Sequence, residues 1–216
     1  MNYGVFKNNV KERIKGKWIM LFVILIIFSA ANYISSEIND YVSIVVSFIL
    51  YPASAVGVYH YVKNLLLEGK EDAKVVLEPY KDLNYAVKII GLNIIVTLIV
   101  ILGCVLLIVP GIYFALQYSQ ANYILADNKE ISISEAMRRS KEMMNGHKIE
   151  LLGLCLSFIP NVLLLFVTCG IYYIYFIPYS ISTMVAYYLE LVNLNDKDTF
   201  NRELNWDSDY FNKNNN

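Results

Sequence analysis

Between Ile89 and Val109, sixteen residues are Leu, Ile or Val and none is charged. At about −0.3 to −0.6 kcal/mol each, such a run gains roughly 5 to 10 kcal/mol on entering a bilayer. The one amide inside it, Asn93, does not cancel that gain. A second apolar stretch runs from Leu151 to Thr168 and resumes from Ile171 to Val192. Composition points the same way: 56% hydrophobic with 17% charged residues is too apolar for a soluble domain of 216 residues. The expected class is therefore an all-α polytopic transmembrane bundle.

Helix lengths set the number of crossings. Lys88 and Asp127 enclose 38 residues, about 57 Å as helix, and Glu150 and Glu190 enclose a similar length. Two crossings of a hydrocarbon core about 30 Å thick need about 60 Å, so each segment fits two helices with a tight reversal. Pro110-Gly111 and Cys169-Gly170 supply the turn residues. With two earlier runs, six spans are expected as three hairpins: about 18–35, 41–62, 87–109, 111–126, 150–168 and 171–192. A re-entrant hairpin that stops short of the far side would carry the same flanks. Residues 1–192 then form one membrane domain, and the polar segment 193–216 reads as a disordered tail. A signal peptide ending at Ala31 is the rival for the first span, but Tyr33 and Ile34 lengthen the run, which favours an uncleaved helix.

The net charge of −1 says little, whereas its distribution orients the chain. Under six spans, every Lys and Arg falls on one side, in the groups 7–17, 63–88, 129–148 and 197–213. Only Glu37 and Asp40 remain opposite. The positive-inside rule then makes both termini cytoplasmic.

The segment "ISISEAMRRSKEMMNGHK", residues 131–148, is a charged island between apolar runs. Ser132 and Glu135 form the S-x-x-E pattern that starts a helix, and Gly146 suits its end. Ile133, Ala136, Met137, Ser140, Met143 and Met144 share one face, while Arg138, Arg139, Lys141 and Glu142 share the other. Nucleic acid would want a denser basic stripe with aromatics. The pattern predicts an interfacial helix over about 132–145, with Arg138, Arg139, Lys141 and Lys148 facing anionic headgroups. A weaker copy over about 71–82 precedes the earlier hairpin, and "GIYFALQYS" at 111–119 echoes "GIYYIYFIPYS" at 170–180, as in a parallel repeat.

Chemistry is sparse. No expected span carries a charge near its middle, where ion-coupled carriers usually place one. Asp127, Glu150 and Glu190 fall at inner ends and read as solvated or snorkelling groups. His60 and His147 have no partner at ligand spacing, so neither metal nor cofactor is expected. Cys104, Cys155 and Cys169 lie in apolar runs and read as small packed hydrophobes. H-E-x-x-H, G-x-S-x-G and P-loop motifs are missing. The fourth span is the exception. Gln117, Ser119, Gln120 and Asn122 crowd it, either as interhelical hydrogen bonds or as a polar lining to which Asn161 would contribute. Pro52, Pro160 and Pro178 offer kinks in spans two, five and six.

"PGIYFALQYSQANYILADN", "EAMRRSKEMMNGHK", "LSFI" and the T-C-G-I turn before "IPY" resemble the bacterial membrane family called domain of unknown function 975. The likeness is densest from Pro110 to Tyr179 and departs at Pro160-Asn161 and Cys169. A more distant likeness is to the membrane domain of some glycerophosphodiester phosphodiesterases, whose catalytic domain this sequence lacks. The resemblance implies a six-span protein of the bacterial cell membrane and carries no established activity. The expected function is thus non-enzymatic, through contacts with the bilayer, with a partner protein or with further copies of the chain: a scaffold, accessory subunit or membrane-protection factor. The alternative is a small transporter or permease component with a polar path at span four. A lipid-modifying enzyme stands third.

Overall fold

The computed structural model describes residues 3–168 and 170–195. The expectations for Cys169, and for the tail beyond Asn195, lie outside these residues. Among the described residues every regular element is a helix. The order is α1 Tyr3–Arg13, α2 Trp18–Ile38, α3 Asp40–Glu68, a 3-10 helix Ala73–Tyr80, α4 Leu83–Leu106, α5 Ile108–Tyr118, α6 Ala121–Asp127, α7 Ile133–Met143, α8 Lys148–Leu156, α9 Ile159–Val167 and α10 Tyr173–Asn195. Three stretches are long and apolar enough to cross a membrane: Trp18–Glu37, Leu83–Leu106 and Lys148–Val167.

Polar side chains set the helix starts. Asn39 separates α2 from α3, and its Oδ1 accepts the Tyr41 N–H at 2.8 Å. Asp82 accepts from Asn84 and Tyr85 at the start of α4, and Ser132 accepts from Glu135 N–H at the start of α7. Gly69 ends α3 at φ 68, a left-handed position that a residue with a Cβ adopts only at a cost.

The core gathers around the second half of α3. Val56, Tyr59, Val62 and Leu66 are buried there against Leu21 of α2, Ile89 of α4, Leu125 of α6, Leu154 of α8 and Tyr188 of α10. The 3-10 helix lies on α3 backbone to backbone. The Val76 carbonyl occupies the space that a Cβ on Gly57 would need. An α-helix was expected over 71–82. Pro79 lacks an N–H and Val75-Val76 are β-branched, so the tighter and shorter turn forms instead.

Several local expectations are corrected. The reversal between α4 and α5 sits at Leu107, whose φ of −162 and ψ of 147 are extended, and not at Pro110-Gly111. Pro110 falls in the first turn of α5, where its missing N–H has no partner to lose. Gly111 is helical and packed on Cys104, while Gly170 turns the chain at φ 85, so the two "GIY" echoes occupy unlike places. Two spans are interrupted, at Ser119-Gln120 and at Ser157-Phe158. Pro160 opens α9 after the second break, whereas Pro52 and Pro178 lie inside α3 and α10. Cys104 and Cys155 are exposed and not buried in the core, although Cys104 touches Gly111 of the facing helix. α10 continues to Asn195, into the segment read as tail.

Candidate functional site

The densest polar chemistry lies where α3, α6 and α10 meet. Tyr59 and Lys63 are one turn apart on α3 and present the same face. Asp127 closes α6. Its Oδ1 accepts from the Lys63 ammonium at 2.6 Å and from the Tyr59 hydroxyl at 2.8 Å. Its Oδ2 accepts from the Tyr188 hydroxyl at 3.0 Å. The Asp127 side chain is 3% exposed and that of Lys63 22%. Tyr59, Tyr123 and Tyr188 pack as a ring cluster with centroids 4.9 to 5.7 Å apart. Three donors, one of them charged, thus engage both oxygens of one buried carboxylate, which meets the condition for keeping such a charge out of water. Close by, His60 Nε2 and Tyr85 Oη are buried without a partner.

This knot was missed in the sequence, where Asp127 read as a solvated end group. The available signal was the Tyr59 and Lys63 pair at helical spacing facing an apolar segment that ends in a carboxylate.

The polar residues of the fourth expected span have separate fates. Asn122 and Asn93 exchange reciprocal amide hydrogen bonds of 3.0 and 3.1 Å, tying α6 to α4. Ser119 donates to the Leu116 carbonyl and accepts from Gln120 Nε2 at the helix break. Gln117 and Gln120 are each 3% exposed. The Gln117 carbonyl accepts from Ser140 of α7 at 2.8 Å, and Gln120 Oε1 is buried without a partner. Asn161 is half-buried on α9, a helix that packs broadly on no other described helix. A cleft of about 390 Å³ opens instead between α3 and α4, lined by Ser47, Tyr51, Pro52, Asn93 and Thr97 among others.

α7 buries Ala136, Ser140 and Met143. On its outer face Arg138 holds Glu135 through Nε and Nη2, at 2.7 and 2.6 Å, and Glu142 through Nη1 at 2.7 Å. Arg139 Nε also donates to Glu135, at 2.7 Å. Those bonds, from Arg138 first, hold the Glu135 carboxyl down at about 2. Lys148 sits over the Tyr113 ring, 4.7 Å from its centroid. Of the four cations expected at headgroups, Lys141 is exposed on this face, Arg138 and Lys148 engage protein groups, and the Arg139 side chain is only 11% exposed, turned toward the protein instead of outward. From the middle of α1, the Lys7 ammonium donates to the Ser157 carbonyl at 2.9 Å, in the α8–α9 break. It also lies 4.4 Å from the Phe158 ring centroid. Burial lowers the Lys7 pKa. Among the described residues, no three His, Cys, Asp or Glu side chains come together as a metal site.

Residues 74–195, more than half of the chain, match the family described as "Protein of unknown function (DUF975)". No curated protein and no solved structure matches.

Proposed function

The chain belongs to the DUF975 family, and from that premise we propose a helical protein of the cytoplasmic membrane that works through contacts and not by catalysis. Three hairpins, α2–α3, α4 to α6 and α8 to α10, enter the bilayer from the side that carries the basic connections. Both termini lie on that side.

The observation that carries this reading is the exposed apolar surface. Less than a fifth of each long apolar stretch is buried. Val105 to Val109 are between 69% and 78% exposed, and Phe166 and Val167 are 78% and 79% exposed. Contiguous apolar surface of this extent has no stable place in water, because each Å² exposed costs about 25 cal/mol. In hydrocarbon the same surface costs nothing. α7, with one apolar and one charged face, then lies at the headgroup level beside it. Apolar burial supplies the attachment, and Lys141 and Lys148 add a secondary preference for anionic lipid.

Alkaline carbonate washing of membranes that carry the full chain tests the reading. The protein is expected in the pellet, and its release into the supernatant would overturn the proposal. A second reading, a small transporter or permease component, draws on the α3–α4 cleft with Ser47, Asn93 and Thr97. A cysteine at Thr97 that reacts with a small water-soluble thiol reagent would put that reading first.

A further inference from the structure

We infer that the α4–α5 hairpin ends inside the hydrocarbon, near the bilayer midplane, and that its apolar tip is covered by the acyl chains of one leaflet. The inference rests on the membrane reading above and departs from the crossing expected of residues 87–126.

Charged groups give the depth scale. α7 carries Glu135, Arg138, Lys141 and Glu142 on its outer face, so that face needs water or headgroups. Its flanks are held at one height. Asp127, before α7, bonds to Tyr188 of α10, and the His147 carbonyl, after α7, accepts from Tyr187. The helix therefore lies across α10 and does not descend beside it. α5 is fastened to this level at two points. Its Gln117 carbonyl takes the Ser140 hydroxyl of α7, and its Tyr113 ring lies under the Lys148 ammonium.

From Tyr113 to the reversal at Leu107 is six residues, about 9 Å of helix. The ammonium is 4.7 Å from the ring centroid, and the tyrosine's own length adds about 4 Å. Even if all three distances lay along the membrane normal, the tip would sit no more than about 18 Å below that charge. The core is about 30 Å thick. α4 agrees only if it is steeply tilted. Lys88, whose ammonium donates to the Lys129 carbonyl at 2.9 Å, precedes Leu106 by about 27 Å of helix. A depth of about 18 Å then requires a tilt of more than about 45°, beyond the usual range of transmembrane helices.

The tip suits that position. Leu102 to Ile112 contains no polar side chain other than the Cys104 thiol, and nothing in it would seek the far headgroups. The α2–α3 hairpin supplies the contrast. Lys63 lies about 36 Å of helix from Asn39, and the sequence around that turn contains Ser35, Ser36, Glu37 and Asp40, as a crossing hairpin requires. The α4–α5 hairpin is also slender. A Cβ on Gly103 would lie 2.9 Å from the Gly111 Cα, so the two helices touch at backbone level and insert as a thin wedge.

The test uses the full chain with its three cysteines changed to Ser and one cysteine restored by Ser36→Cys, Leu107→Cys or Glu130→Cys. Each is labelled with a polarity-sensitive fluorophore. The proteins are uniformly oriented in phosphatidylcholine–phosphatidylglycerol vesicles, and quenching is read with iodide on either side and with doxyl lipids. Leu107 is 69% exposed, so the label meets no packed neighbour there. Ser36→Cys and Glu130→Cys should respond to iodide from opposite sides. Leu107→Cys should lose fluorescence with a doxyl group deep in the acyl chain, more than with a shallow one, and ignore iodide on both sides. Iodide quenching of Leu107→Cys from the Ser36 side would overturn the inference and leave the membrane reading standing. A label silent to both quenchers would also overturn it, by showing that protein covers the tip. Failure of Ser36→Cys and Glu130→Cys to divide between the two sides would sink the membrane reading itself.

Discussion

Lys63→Met tests the ionic knot most sharply, because the two partners differ in their access to water. Asp127 is 3% exposed, Lys63 22%. Removing the ammonium leaves a carboxylate held only by the hydroxyls of Tyr59 and Tyr188, with no route to solvent. Breaking one side of such a pair costs about 3–5 kcal/mol, and Lys63→Met is expected to reach that range at neutral pH. Asp127→Asn differs. The amide keeps the volume and one oxygen, for Tyr59, its NH2 can donate to the Tyr188 hydroxyl in place of accepting from it, and the partly exposed ammonium can reach water. Its expected cost is about 1–3 kcal/mol, near that of a lost charged hydrogen bond. The double variant removes both charges and should be more stable than Lys63→Met alone, a coupling that a double-mutant cycle isolates. Unfolding of the purified chain in mixed micelles, titrated with denaturing detergent, gives the four free energies. A cost below about 1 kcal/mol for Lys63→Met, or a larger cost for Asp127→Asn, would refute the reasoning.

Gly57→Ala should destabilise by about 1–3 kcal/mol, since the new methyl meets the Val76 carbonyl, a backbone atom with little room to move; the same unfolding titration measures it. Lys7→Met should leave the Ser157 carbonyl without its donor and cost about 1–2 kcal/mol, measured by the same unfolding titration. The Glu135 carboxyl, held at about 2 against an ordinary value of 4.5, contributes stability that is present above the ordinary value and lost as pH falls toward 2. Glu135→Gln should flatten that acid limb of the stability curve, and an unchanged limb would contradict the assigned pairing. A peptide of residues 130–148 should bind anionic vesicles more tightly than neutral ones by a factor smaller than its Arg and Lys count suggests, because Glu135 and Glu142 neutralise part of its outer face. Sedimentation with the two lipids measures the ratio.

Helix existence was legible because it depends on local pattern. The Leu and Ile runs of α2 and α4 bury or expose apolar surface whatever their neighbours do, and Ser132, Asp82 and Asn39 are donor-seeking caps written into the chain. Reversals and breaks were less legible. Pro110-Gly111 looks like a turn, but proline is equally at home in a first helical turn, and Gly111 is required by contact with Cys104 of the facing helix. That contact is tertiary, and no window along the sequence contains it. The reading of Asp127 as a solvated end group failed for the same reason. Its donors come from residues 59, 63 and 188, so its environment exists only once α3 and α10 have met α6.

The knot and the hairpin are mechanically linked through one short stretch of chain. Asp127 ties α6 to α3 and α10, while Ser140 and Lys148, on either side of the α7 C-terminus, tie α5 to the charged layer. The break at Ser119-Gln120 lies between these two attachments, so α5 and α6 are fastened to different partners. A continuous helix from Ile108 to Asp127 would be about 30 Å long and straight, enough to carry Leu107 across the core. Interrupted, and held from the side by α7, the same residues can stay within one leaflet. Hydrophobic length alone therefore does not decide whether this segment crosses; the anchors along its flank do.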